Sequence, residues 1–294
     1  MALQDSHQLI QVRTSLPAGR KQKQDFVEEI ARKYGCDPKK ISAGYDTLAA
    51  PLKPIRTLQA QSKSFAKNGT WCWDVGWRIF PNNCFDELVP QIQDQKAECD
   101  DLFREFMDDY ESTVQESISE SMGAAVIDDF PTREKMLSSY KFEIHLAEVP
   151  SPEIDPRAGW SSEQIRSMKE SSRIRYESAV KDATVEMLGR IEEPLKKLSE
   201  RMGAYTGGRE GSFNDSIVGN IEDVIGEMIS GNLLDEPEIK NLHGRILRGL
   251  NGVTPEALRS DENLRDAVEK RAASLAVDAR ELIERVATCE GLAL

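Results

Sequence analysis

The chain is 294 residues long, 39% hydrophobic and 30% charged, with a net charge of −13. That length holds one large or two moderate domains with ample chain to bury a core, and the composition is too apolar for wholesale disorder. No apolar run approaches the roughly 20 residues that span a bilayer, and the first sixteen residues lack the basic-then-apolar pattern of a secretory signal. Five scattered cysteines (Cys36, Cys72, Cys84, Cys99, Cys289), never in a CxxC pair, fit a reducing compartment in which thiols act as small apolar residues. The location expected is the cytoplasm.

Residues 1–70 carry twelve basic and six acidic side chains, and the segment 1–82 is expected to form a basic α+β unit. Gln8 to Val12 is a candidate strand. Apolar spacing predicts a helix over 21–34 and, with Pro51 and Pro54 interrupting 38–67, two short helices there. From Trp71 to Ile79 every odd position is large and apolar. A two-residue hairpin turn would swap that parity, so one continuous strand is predicted, with Trp71, Trp73, Val75, Trp77 and Ile79 on one face. Three readings of this face stand side by side. It is buried against helices, it is a partner-docking surface rich in tryptophan, or it is a stacking platform for nucleic-acid bases.

Residues 83–122 hold twelve acidic side chains against two basic ones. Phe85, Leu88, Ile92, Cys99, Leu102, Phe106, Tyr110, Val114 and Ile118 recur at three- and four-residue steps, which predicts one helix with a single apolar face. Its polar side includes Asp100, Asp101, Asp108 and Asp109. Like charges one turn apart destabilise an isolated helix by roughly 0.2–0.5 kcal/mol per pair, so this concentration reads as an interaction surface. The insert 123–160 contains a second alternating strand at Phe142, Ile144 and Leu146.

Residues 161–202 repeat Ile165, Met168, Tyr176, Val180, Ala183, Met187, Ile191, Leu195, Leu198 and Met202, a second long seam. Ser161 and Ser162 are N-cap candidates, Gly203 a stop, and Pro194 a kink or restart. Matching lengths predict that 83–122 and 161–202 form an antiparallel pair within a unit spanning 83–202. Residues 203–212, rich in glycine, read as a linker. Helices near 213–230, 235–250 and 261–288 would then make a hinged C-terminal domain, 213–294. The expected fold class is mostly α with a small β-sheet (α+β).

Candidate chemistry is thin. His7, His145 and His243 are far apart, and neither HExxH nor paired CxxC occurs. Glu143 and His145 share a strand side, either as an acid–base couple or as an exposed pair, with no G-x-S-x-G motif beside them. The glycines at 203–211 lack the GK[ST] of a phosphate loop. Arg166, Lys169, Arg173 and Arg175 alternate with Glu163, Glu170 and Glu177, as on a solvated helix or a salt-bridged edge. No enzyme activity, cofactor or metal is expected.

The order of features over residues 8–115 resembles a family of proteins from bacteriophages and integrating elements often found near MoxR-type ATPases. These features are the strand and basic turn from Val12-Arg13 to Arg20-Lys21, the helical region ending near Ala66, the aromatic strand Trp71–Phe80 and the helix Phe85–Tyr110. That family carries no established catalytic residues. A second likeness, of length, acidity, long helices and hinge, is to phage proteins that inhibit host defence, including inhibitors of the Gabija nuclease–ATPase complex. Both imply a non-catalytic protein that binds another protein assembly, and the two long seams, with more apolar length than a single pair covers, predict a homo-oligomer. The candidate partner-binding residues come from the aromatic strand and the acidic helix face themselves: Trp71, Trp73, Trp77, Asp100, Asp101, Asp108 and Asp109. The remaining alternatives are an accessory factor of a MoxR-type ATPase and a nucleic-acid-binding protein that uses residues 1–80. The acidic total argues against the second, because duplex affinity comes largely from cations on phosphate.

Overall fold

The computed structural model describes residues 3–121, 125–151, 161–205, 219, 225–226, 228, 231–233, 235–250 and 252–288. Helix α1 (Leu3–Ser6) leads into β1 (His7–Ser15), β2 (Arg20–Gln22) and α2 (Gln24–Tyr34). After a 3-10 turn at Pro38–Lys40 come β3 (Gly44–Asp46), α3 (Lys53–Phe65), β4 (Trp71–Asp74) and β5 (Trp77–Pro81). Next follow α4 (Phe85–Asp108), α5 (Tyr110–Glu120), α6 (Arg133–Ser139) and β6 (Lys141–Glu148). The chain continues with α7 (Ser162–Ala204), α8 (Pro237–Leu250), α9 (Pro255–Ser260) and α10 (Glu262–Thr288). The fold is thus mostly helical with small sheets, one ordered β4-β5-β1-β6 and the other β2-β3, as the sequence predicts.

Two compact units are assembled from interleaved stretches. One comprises Met1–Ile10, Gly69–Phe85 and Leu146–Leu294, the other Gln11–Asn68 and Asp86–His145. The sequential boundaries expected at 82 and 202 therefore do not hold. The basic segment 1–82 is divided between the units, and α8–α10 share a unit with α7 instead of forming a separate hinged domain. The expected linker 203–212 and the expected helix near 213–230 lie mostly outside the described residues.

In the first unit α7 packs along α10. Arg280 of α10 bonds Glu192, a Cβ at Gly203 would meet Glu269, and Arg265 lies 4.9 Å from the centroid of the Tyr205 ring. Rising numbers on one helix meet falling numbers on the other, so the two run antiparallel. Arg285–Glu238 and Arg245–Asp278 give α8 the same antiparallel relation to α10. A long antiparallel helix pair is present, but its second member is α10 and not the 83–122 segment, which from Asp86 onward belongs to the other unit. The reason is packing chemistry: α10 offers Val268, Ala272, Leu275, Ala279, Leu282 and Val286, a seam that matches Ala183, Met187, Ile191, Leu195, Leu198 and Met202 of α7. Ser161 caps α7 in a reciprocal capping box with Gln164, and the helix runs unbroken through Pro194 to Ala204.

The aromatic stretch is a hairpin, not the continuous strand expected. Val75 and Gly76 turn the chain, with Gly76 at φ +77°, a conformation that suits a residue without Cβ. Asp74 pairs with Trp77, yet Cys72 pairs with Arg78 and Trp71 with Ile79. One extra residue in β4, a β-bulge, restores the parity that the turn had swapped. Val75 consequently sits at the exposed tip, 91% accessible, while Trp71 and Ile79 are buried.

In the second unit, α4 and α5 replace the single helix expected over 83–122. The break falls at Asp109 (φ −98°, ψ 12°), whose carbonyl accepts from the Thr113 amide and from the hydroxyls of Ser112 and Thr113. The first of the two helices expected in 38–67 is a 3-10 turn plus β3, and only α3 forms. Ile55 and Leu58 of α3 are buried, as are Leu88, Ile92, Cys99, Phe103, Phe106, Tyr110 and Val114 of α4 and α5. The Cys99 thiol donates to the Ile55 carbonyl at 3.8 Å.

Candidate interaction surfaces

The β4–β5 hairpin is fixed to α7 by one carboxylate. Glu186 accepts from Arg78 Nη2 at 2.9 and 3.1 Å, from Arg190 Nη2 at 2.9 Å and from the Cys72 amide at 2.5 Å. Arg78 also donates to the hydroxyl and carbonyl of Thr70, and Arg190 to that same carbonyl. Burial by itself would raise the Glu186 carboxyl, but the Arg78 guanidinium, the Cys72 amide and Arg190 outweigh it and hold the group below the usual carboxylate range. The hairpin is therefore a rigid platform.

Against this platform the three tryptophans separate. Trp71 and Trp73 are 1% and 7% exposed and belong to the core, while Trp77 is half-buried. Trp71 packs so closely on Gly231 that an added Cβ there would lie 2.7 Å from the ring. Of the three readings the first therefore describes Trp71 and Trp73. Trp73 meets the Tyr176 ring edge-on, with centroids 5.6 Å apart, and the pair forms one wall of a cleft of about 600 Å³. Cys72, Asp74, Arg175 and Asp182 supply its polar rim. Burial pushes the Cys72 thiol up, and neighbouring Glu186 adds to this, so it is not an activated thiolate.

Beside the cleft α7 outruns its partner. It is 43 residues long against 27 for α10, a difference of about 24 Å at 1.5 Å per residue. No side chain from Ser162 to Ser178 is buried. Met168 and Ile174 are 40% and 54% exposed, and Ile165 and Met168 prolong the seam that α10 covers lower down. Arg173 bridges Glu170 and Glu177 on the same helix, the solvated arrangement expected of that charge pattern.

The acidic helix face divides as well. Asp100 accepts from the Tyr140 hydroxyl at 2.7 Å and pairs with Lys96. Tyr140 in turn stacks on Phe103 with centroids 4.0 Å apart. Burial, then the hydrogen bond to Asp100, pushes the Tyr140 hydroxyl far above its ordinary value. Asp100 thus serves the fold of its own unit. Asp101 is exposed and pairs only with Arg104 of the same helix among the described residues, and Asp108 and Asp109 are exposed. The last turn of α4 has no basic residue, so Glu105 and Asp108 stand where the helix dipole disfavours negative charge.

One further cluster was not legible in the sequence. Asp129, its side chain 7% exposed, accepts from Tyr45, Lys23 and the Val126 amide. Hydrogen bonds from Lys23 and then Tyr45 hold its carboxyl well below the usual carboxylate range. The donors lie 84 and 106 positions away in a segment with no local motif. Glu143 and His145, expected on one strand side, are both exposed and 3.4 Å apart. Among the described residues no three His, Cys, Asp or Glu side chains gather as a metal site, and no described helix is long and apolar enough to cross a membrane. Comparison with family models, with curated proteins and with solved structures returns no match.

Proposed function

We propose that this chain is a non-catalytic, cytoplasmic interaction protein of phage type that docks on another protein assembly and self-associates. The observation that supports this reading best is the first four turns of α7, which present Met168 and Ile174 to solvent on a helix anchored in a well-packed core. Exposed apolar side chains on a rigid element lose little conformational entropy on binding. The concrete form suggested by the resemblance is an antagonist of a host antiviral complex. The experiment is size-exclusion chromatography of the full chain with a purified Gabija-type nuclease–ATPase complex. Co-elution, abolished by Met168→Glu combined with Ile174→Glu, is expected, and separate elution rejects the antagonist.

A MoxR-type ATPase is the alternative partner in the same assay. Exposed Arg20 and Lys21 on β2 and Lys39 and Lys40 on the following turn support the nucleic-acid reading. Duplex DNA retained on the protein at low salt and released on Lys39→Gln with Lys40→Gln would favour it over both.

A further inference from the structure

Three arginines of the α7–α8–α10 bundle take carboxylates: Arg280 takes Glu192, Arg285 takes Glu238 and Arg245 takes Asp278. Arg265 donates instead to the Leu258 and Arg259 carbonyls, and Arg248 and Arg271 likewise have no carboxylate among the described residues. Together with Arg245, Ser274 and Leu275 they line a cleft of about 310 Å³ between α8 and α10. Within it Arg271 reaches only the Gly249 carbonyl, at 3.4 Å, and no described carboxylate pairs with either guanidinium. In a chain with thirteen surplus negative charges, two exposed arginines that line one cleft without a described carboxylate partner are open to an anion from solution.

The local sequence accommodates the arrangement at a cost to the helix. Gly244 lies inside α8, where glycine is the poorest choice after proline. A Cβ there would sit 3.3 Å from Arg248 Nη1, close enough that the Arg248 head group would shift by a few tenths of an ångström to make room. The planar Arg248 and Arg271 guanidiniums, with the Ser274 hydroxyl and the N–H groups of Arg245 that Asp278 does not take, match a small, doubly charged oxyanion with several acceptor oxygens.

We propose that the Arg245–Arg248–Arg271–Ser274 cleft binds a phosphate group, either free inorganic phosphate or a phosphate monoester. The bland alternative is that Arg248 and Arg271 only neutralise the carbonyl end of α8, which favours cations. The two make opposite statements about Gly244→Ala. If the cleft is a phosphate site, that change displaces the Arg248 head group and weakens binding while raising the melting temperature through better helix propensity. A pure capping role would leave nothing to weaken.

The test is titration of the full chain at low ionic strength with inorganic phosphate, O-phosphoserine and serine, followed by calorimetry. Saturable phosphate binding is expected, at least tenfold weaker in Arg248→Gln with Arg271→Gln, several-fold weaker in Gly244→Ala, and unchanged in Arg280→Gln. Tighter binding of inorganic phosphate than of phosphoserine identifies the free ion as ligand, and the reverse order identifies a monoester. Absence of saturation, or equal binding by the double variant, overturns the proposal.

Discussion

Arg78 and Glu186 stand 108 positions apart in the chain, and their side chains meet at 2.9 Å. Arg78 lies on the hairpin strand that follows the Val75–Gly76 turn, and Glu186 faces it from the middle of α7. The carboxylate receives three hydrogen-bonding groups, two of them cationic. This junction decides the position of Trp73, hence of the Trp73–Tyr176 wall of the cleft.

Glu186→Gln should therefore loosen the hairpin. The amide keeps the shape but loses charge assistance toward two guanidiniums, and hydrogen bonds to charged groups contribute about 1.5–3 kcal/mol. Urea unfolding should show a loss in that range, with a Trp fluorescence change that precedes the helical transition. Because the folded Glu186 carboxyl is held below its ordinary value, its contribution is present above the unfolded value and is lost as pH falls through the folded one. The wild type should lose stability on acidification more steeply than the variant.

Asp129 makes the same point in the other unit. Its folded carboxyl is depressed, so its stabilisation is complete above the unfolded value of about 3.9 and declines as pH falls below that. Asp129→Asn should lower the melting temperature at pH 7 while flattening the dependence of melting on pH between about 5 and 2. An unchanged slope would show that Lys23 and Tyr45 do not discriminate between the charged and neutral forms.

How much of this was legible depends on the range of the interaction concerned. The Ser161 cap and the apolar faces of α4 and α7 are local, set by spacing within one or two turns, and were readable. The hairpin was misread because parity counts residues and a bulge adds one. Nothing local marks the bulge at Trp73. Strands β2 and β3 each span three residues, Arg-Lys-Gln and Gly-Tyr-Asp, with no apolar alternation, so they exist only through their partner. The choice of α10 over the 83–122 helices as the mate of α7 is also non-local. Two seams of equal period look interchangeable in sequence, and side-chain sizes across the interface decide between them. The Glu186 and Asp129 clusters carry no motif because Arg78 and Cys72 on one side, and Lys23 and Tyr45 on the other, lie more than eighty residues from the carboxylate they meet.

Trp73→Ala tests the core assignment directly. With 7% of the residue exposed and an edge-on contact to Tyr176, truncation should destabilise by about 3–5 kcal/mol. Val75→Ala, at the exposed tip, should fall within about 0.5 kcal/mol of wild type. Equal melting of the two variants would contradict the burial of Trp73.

Self-association can be read by light scattering. The first turns of α7, where no side chain is buried among the described residues, prolong the seam beyond α10, and a homo-oligomer should form at micromolar concentration. A mass near 33.0 kDa would rule this out. If an oligomer forms, Met168→Glu should dissociate it without changing the melting of the monomer, because no side chain in that stretch is buried.

The acidic face yields the sharpest test once Asp100 is set apart. Asp100 holds Tyr140 and Lys96 in place, so neutralising it would confuse stability with recognition. Asp101, Asp108 and Asp109 carry no such duty among the described residues. Changing these three to Asn keeps shape, and Asn serves as well as Asp where a helix begins after residue 109. Asp108 stands at the C-terminal end of α4, where removing a negative charge relieves repulsion with the helix dipole by about 0.3–1 kcal/mol. The triple variant should therefore fold with equal or slightly higher stability. If the face recognises a basic partner, association should slow and lose its salt dependence, because exposed charges steer encounter over distances that salt screens. Dissociation of the complex should change less. A variant that binds with wild-type rate and wild-type response to salt would reduce the acidity to a solubilising surface. An unfolded variant would instead place these carboxylates in the packing of their own unit, against their exposure.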